Sequence, residues 1–175
     1  GTHQRTGLSK LWHGSVSHDI LRYAKMSVAC IPAPFGGNGS SVAIPELRMV
    51  VAATDLSEAA NRAVSFAYAV LGRGGCVHLV HVVETAGQEA EVAGKLRALI
   101  PEAAAARGIE THVHVVPGAD AAGAIAQTAE RTGADVIVIA SQGRSALAEV
   151  VMGSVARSLF EATRRPVLVI RPLAE

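Results

Sequence analysis

The chain carries one segment twice. Residues 1–32 align with residues 140–171 at a constant offset of 139 and without a gap. Seven pairs are identical: Arg5/Arg144, Leu8/Leu147, Gly14/Gly153, Ser15/Ser154, Val16/Val155, Val28/Val167 and Ile31/Ile170. An internal repeat constrains a fold more than any local propensity, because each copy must make the same kind of unit. Only the end of the unit is duplicated. Residues 47–139 precede the second copy, and nothing comparable precedes the first. The expected organisation is therefore the tail of one domain over 1–32, a Gly-, Ser- and Pro-bearing linker over 33–46, and a complete domain over 47–172. The opening Gly1, where a Met would start a chain, fits a fragment or a processed product.

Within the second unit, short apolar runs alternate with helical patterns. Strands are predicted at Met49–Ala53, Cys76–Val83, Thr111–Val116, Val136–Ala140 and Val167–Ile170. Helices are predicted between them. The first is capped by Ser57, carries Ala63, Val64, Ala67, Val70 and Leu71 on its apolar face, and ends at Gly72. The second carries Val92, Leu96, Leu99 and Ile100 and runs to Gly108 with a kink at Pro101. The third spans Asp120 to Thr132 and stops at Gly133, and the fourth spans Ser154–Thr163. Such alternation implies an α/β fold: an open, doubly wound, parallel five-stranded sheet with right-handed crossovers. The fully apolar first and fourth strands belong in the centre. The alternating Thr-His-Val-His-Val-Val of the third belongs at an edge. The order is then 3-2-1-4-5.

Composition removes several function classes. The 175 residues carry a net charge of +1, which gives no footprint for nucleic acid or an anionic membrane. No apolar run approaches the length of a bilayer span, and no secretory signal opens the chain. Cys30 and Cys76 form no motif, so a reducing, cytoplasmic setting is expected. Aromatics are 3% of residues, so Val, Ile, Leu and Ala must build the core.

In open α/β sheets ligands sit at the carboxyl ends of the strands, where strand order reverses. Three segments meet there. Ala53, Thr54 and Asp55 leave the first strand. Ala140 to Ser145 leave the fourth. Gly153 and Ser154 open the last helix, where unpaired N–H groups and the helix dipole favour an anion. Gly143 adds backbone donors and Arg144 a cation. Asp55 can accept from ribose hydroxyls. Each residue also has an ordinary role available: Ser154 as a plain helix cap, Asp55 as a turn residue, Arg144 as a solvated charge.

Taken together, Val136–Ile170, Ala-Thr-Asp-Leu-Ser at 53–57 and Val-His-Val-Val at 80–83 closely resemble the universal stress protein family. The resemblance covers 47–172 and makes 1–32 the carboxyl-terminal part of a preceding domain, as in tandem members. The family's nucleotide motif is Gly, two residues, Gly, nine residues, then Gly followed by Ser or Thr. It falls here on Ala140, Gly143, Gly153 and Ser154, with Ala140 where ATP-binding members carry their first glycine. That methyl is cheap in extended backbone and costly at positive φ. The resemblance implies a stress-response regulator that binds ATP or another adenine nucleotide, with or without Mg2+. Asp55 would lie on the ribose or adenine side, beside Ala53 and Thr54, and Val82 would offer backbone groups to adenine. Gly143, Arg144, Gly153, Ser154 and Val155 would hold phosphates. In the first copy Gln4 replaces the second motif glycine, so Gly14 and Ser15 are expected to bind no nucleotide by themselves.

The family also pairs subunits or tandem domains through the fifth strand, side by side and antiparallel. Ser27–Ile31 is accordingly expected to pair with Val167–Ile170 as an extra antiparallel edge strand, with a helix over 15–24 covering it. A homodimer through that strand is the other form the same contact could take. His78 and His81 point to opposite faces of their strand, while His112 and His114 share a face. With no Cys or carboxylate pattern beside them in sequence, no metal site is expected. No Gly-x-Ser-x-Gly elbow or Walker loop is present, so no enzyme is expected, slow ATP turnover apart. The alternative function is a non-nucleotide member of the same family that works through dimerisation and protein partners.

Overall fold

A computed structural model describes residues 20, 21, 23, 24, 26–32, 46–85, 87–142 and 152–171. Six strands form one sheet in the order β1-β6-β5-β2-β3-β4. Their ranges are β1 Val28–Cys30, β2 Met49–Ala53, β3 Cys76–Val83, β4 Glu110–Pro117, β5 Val136–Ala140 and β6 Val167–Ile170. The helices are α1 Glu58–Val70, α2 Glu89–Arg97, α3 Ala103–Ala106, α4 Ala121–Thr132 and α5 Ser154–Ala162. The β2–β6 ladders are all parallel. The domain order is thus the expected 3-2-1-4-5, with one antiparallel strand added. β1 pairs with β6 through Val28↔Val169, Ala29↔Leu168 and Cys30↔Val167.

The core lies on both faces of the sheet. On one face α4 and α5 pack Ile125, Ala126, Ala129 and Leu159 against Val51, Val80, Ile137, Val167 and Val169. On the other, α1 packs Ala60, Ala63, Val64 and Ala67 against Val50, Ala52, Leu79 and Val138. Small alanines on α1 let the helix sit close to the β-branched strand surface. A third cluster places Val92 and Leu96 of α2 against Val83. Leu21, from the amino-terminal segment, joins the α4–α5 face and is 2% exposed. Its carbonyl accepts a hydrogen bond from the Arg171 guanidinium, and Arg171 N donates to Ser27 Oγ at 3.2 Å. The amino-terminal segment is therefore tied to the end of β6 as well as paired with it. Ile20, Leu21 and Tyr23 are helical; the rest of the helix expected over 15–24 lies outside the described residues, apart from Ala24, as does nearly all of the linker.

Helix ends depart from expectation in three places. α1 begins as expected, with Ser57 Oγ accepting from Ala60 N at 3.3 Å. It ends at Val70 rather than at Gly72, with Leu71 extended as the cap. Arg107 supplies the missing donors: its guanidinium donates to the carbonyl of Tyr68 at 2.9 Å and to that of Leu71. A cation at a helix carboxyl end does the work of a glycine turn. Pro101 breaks the second helix into α2 and α3 instead of kinking it, because proline lacks the N–H and crowds the preceding turn. Thr163 is the extended cap of α5, so that helix ends one residue early. Asp120 caps α4, accepting from Gly123 N at 3.0 Å, and Gly133 ends it in the left-handed region at φ 69°.

Candidate functional site

Parallel strands β2 and β5 are neighbours whose crossovers run in opposite directions, so a cleft opens between their carboxyl ends. It is lined by Ala53 at the end of β2 with Thr54 and Asp55 beyond it, Val80 and Val82 of β3, Ala140 at the end of β5 with Ser141 and Gln142 beyond it, and Gly153, Ser154 and Val155 at the start of α5. Ile125 of α4 and Ile139 add apolar wall. Eight of the ten residues proposed from sequence are therefore brought together here. The other two, Gly143 and Arg144, lie outside the described residues, as do Gly14 and Ser15 of the first copy.

The β2 side is built by a turn that fixes its own polar groups. Thr54 N donates to Val80 O at 3.0 Å. Thr54 Oγ1 accepts from Leu56 N and donates to Asn61 Oδ1, both at 2.9 Å. Asp55 Oδ1 accepts from Ser57 N at 3.0 Å. Leu56 has a φ of 66°, unusual for a branched side chain. Its apolar body packs against the Val83–Leu96 cluster, which supports the strained backbone. The turn thereby aims Asp55 at the cleft while α1 starts immediately behind it. His81, buried beneath the turn, lies with Nδ1 2.7 Å from Thr54 O. A carbonyl can only accept, so Nδ1 carries the proton.

Gly153 is the cap residue of α5, and among the described residues no side chain caps the helix. Ser154 is the first helical residue, which corrects its assignment as a possible cap. The first turn holds no acidic residue to offset the positive end of the helix dipole. Gly153 N donates to Ser141 O at 2.8 Å, which seats the helix start on the end of β5. Gly153 has φ −58°, so its lack of a side chain is not a backbone requirement. A Cβ there would meet Ser141 O at 3.5 Å, an ordinary contact. Ser141 is fully buried, and its hydroxyl has no hydrogen-bond partner among the described residues. A buried orphan hydroxyl costs about 1–3 kcal/mol unless something outside the protein completes it.

Ala140 ends β5 in register with Ile170, so its backbone is extended. Its methyl belongs to the α1-side core and costs nothing in backbone strain. Sequence reasoning placed Ser141 in the segment leaving the fourth strand but gave it no role, and it missed His81 and the Ile125–Ile139 wall. The contact of His81 with Thr54 depends on the register of β2 and β3, which a single sequence does not carry.

A doubly wound sheet with a helix start over its switch point defines an open α/β domain with a ligand-sized cleft at the carboxyl ends of its strands. Residues 46–171 match the sequence model of the universal stress protein family. The chain belongs to that family. No curated protein shows a significant match. Solved structures do. The hypothetical protein MJ0577 is 23% identical with a TM-score of 0.65, covering 75% of this chain and 100% of its own. A universal stress protein from Archaeoglobus fulgidus is 26% identical with a TM-score of 0.61, covering 87% of this chain and 52% of its own. This chain thus spans about half of the latter's length. A universal stress protein in complex with cAMP is 22% identical with a TM-score of 0.57, covering 73% of this chain and 98% of its own.

Proposed function

We propose that this protein is a stress-response regulator that binds an adenine nucleotide in the cleft between β2 and β5. The observation that carries the proposal is the start of α5. Among the described residues, it presents backbone donors with no side-chain cap, beside a buried Ser141 hydroxyl with no hydrogen-bond partner. Phosphate oxygens would satisfy both. Ser154 and Val155 would hold them, with Gly153 allowing close approach and Gly143 and Arg144 completing the phosphate side. Asp55, across the cleft, would accept from the ribose hydroxyls. Val80, Val82, Ile125 and Ile139 would take the apolar faces of the base. Mg2+, where ATP brings it, would sit on the phosphates. The cleft supplies binding groups rather than an activated nucleophile, which favours a sensor over an enzyme. The cAMP held by one structural relative supports the adenine class and makes the cyclic nucleotide a ligand to compare.

Nucleotide released from purified protein and identified by mass spectrometry tests the proposal, followed by calorimetry with ATP, AMP and cAMP. Bound adenine nucleotide, or micromolar affinity for one of the three, is the expected result. Absence of both, with no heat at millimolar ligand, would move the function to protein partners.

A further inference from the structure

A second cluster of reactive side chains stands far from the cleft. β3 and β4 are parallel, and side chains in register on such a ladder share a face. Cys76 is in register with Glu110, and His78 with His112, at the amino ends of these strands. Val82, at the cleft, is six residues along β3, about 20 Å away. Cys76 Sγ, a Glu110 carboxylate oxygen and a ring nitrogen of His112 all lie within 4.8 Å of one another. His78 Nε2 is 3.6 Å from Cys76 Sγ. The same Nε2 lies 3.0 Å from Met49 Sδ, and the other ring nitrogen of His78 lies 2.9 Å from His114 Nε2.

We propose that Cys76, Glu110 and His112 bind one zinc-class divalent ion that clips the edge strand β4 to β3, with His78, held by His114, standing beside the Cys76 thiol. Thiolate, imidazole and carboxylate together favour Zn2+ or Co2+ over Mg2+ or Ca2+. Cys76 ligates as the thiolate, its proton leaving to solvent. With Glu110 it contributes two negative charges, which offset the ion and the opposing field of Arg131 on α4. Glu110 and His112 are exposed at the edge of the sheet, which gives the ion an entry path. The site does not depend on nucleotide binding, and its failure would leave the cleft untouched.

Cobalt titration of the full chain, stripped with chelator and kept reduced, tests the site. One equivalent of Co2+ should give tetrahedral d–d absorption with a thiolate-to-cobalt charge-transfer band, and Zn2+ should displace it. Cys76→Ser should remove the charge-transfer band, and His112→Ala should weaken binding at least tenfold. Cys30→Ser should change neither. Zn2+ should also raise the Tm of the wild-type protein and not that of Cys76→Ser. Glu110→Gln, at an exposed position, repeats the affinity test if Cys76→Ser does not fold. A cobalt spectrum without the thiolate band, a band that persists in Cys76→Ser, or affinity unchanged in both His112→Ala and Glu110→Gln would overturn the proposal. So would binding that follows His3, His13 and His18 instead.

Discussion

Ala29 is in register with Leu168, and these two residues hold the same place in the two copies of the repeat. The flanking pairs obey the same rule. Val28 faces Val169, the counterpart of Cys30, and Cys30 faces Val167, the counterpart of Val28. Exchanging the copies leaves the pairing unchanged, so β1 and β6 meet about a local two-fold axis. That is the geometry of an isologous subunit contact made within one chain. It also fills the outer edge of β6, which would otherwise present an apolar strand to solvent.

Removal of residues 1–46 should therefore raise the mass measured by light scattering to that of a dimer. β6 would lose its partner strand, and the core would lose Leu21. The uncovered edge would then be met by a second copy. An unchanged mass would mean that β1 does not control assembly.

Much of this fold is legible in the sequence because its strands are apolar runs bounded by turn residues. Met49–Ala53, Cys76–Val83, Val136–Ala140 and Val167–Ile170 need no correction. Helix ends were less legible, because their caps come from elsewhere in the chain. Arg107 closes α1 from 36 residues beyond Leu71, a partnership that no local pattern announces. The same limit applies to chemistry. The spacing of Gly153 and Ser154 was readable, since that site is built from contiguous motifs. The grouping of Cys76 and Glu110 with His112 is not, because it depends on which residue of β3 stands beside which residue of β4. A search for Cys-x-His facing Glu-x-His-x-His on neighbouring strands could have found it.

Ala140 stands where ATP-binding relatives are expected to carry glycine, yet its extended backbone tolerates a side chain. Ala140→Gly should leave nucleotide affinity within about threefold. It should cost about 1 kcal/mol of stability, from a lost buried methyl and a freer unfolded chain. Calorimetry and urea denaturation check the two halves. A large gain in affinity would show that the methyl blocks the ligand.

Arg165 clamps the end of α4 to the loop before β6. Its Nε and Nη2 donate to the two carboxylate oxygens of Glu130 at 3.1 and 3.0 Å, and Nη1 donates to Ala134 O at 3.0 Å. Hydrogen bonding by Arg165 lowers the Glu130 pKa. A carboxylate with a depressed folded pKa stabilises above its unfolded pKa, and the contribution is lost as pH falls through the folded value. The carboxylate is exposed, so Glu130→Gln should cost only about 0.5 kcal/mol at neutral pH, and less in acid as pH falls through the lowered folded value. Denaturation curves at neutral and acid pH test the sign. A cost that grows on acidification would contradict it.

Calorimetric titration of ATP into wild type and Gly153→Val tests whether an adenine nucleotide binds at the start of α5. The backbone at Gly153 accepts a side chain, so the variant should keep its fold by circular dichroism. Wild type should bind with micromolar affinity, and the variant should lose at least tenfold, because the new side chain occupies the phosphate approach. Equal affinity in the two proteins, or no binding by the wild type at millimolar ATP, would contradict it.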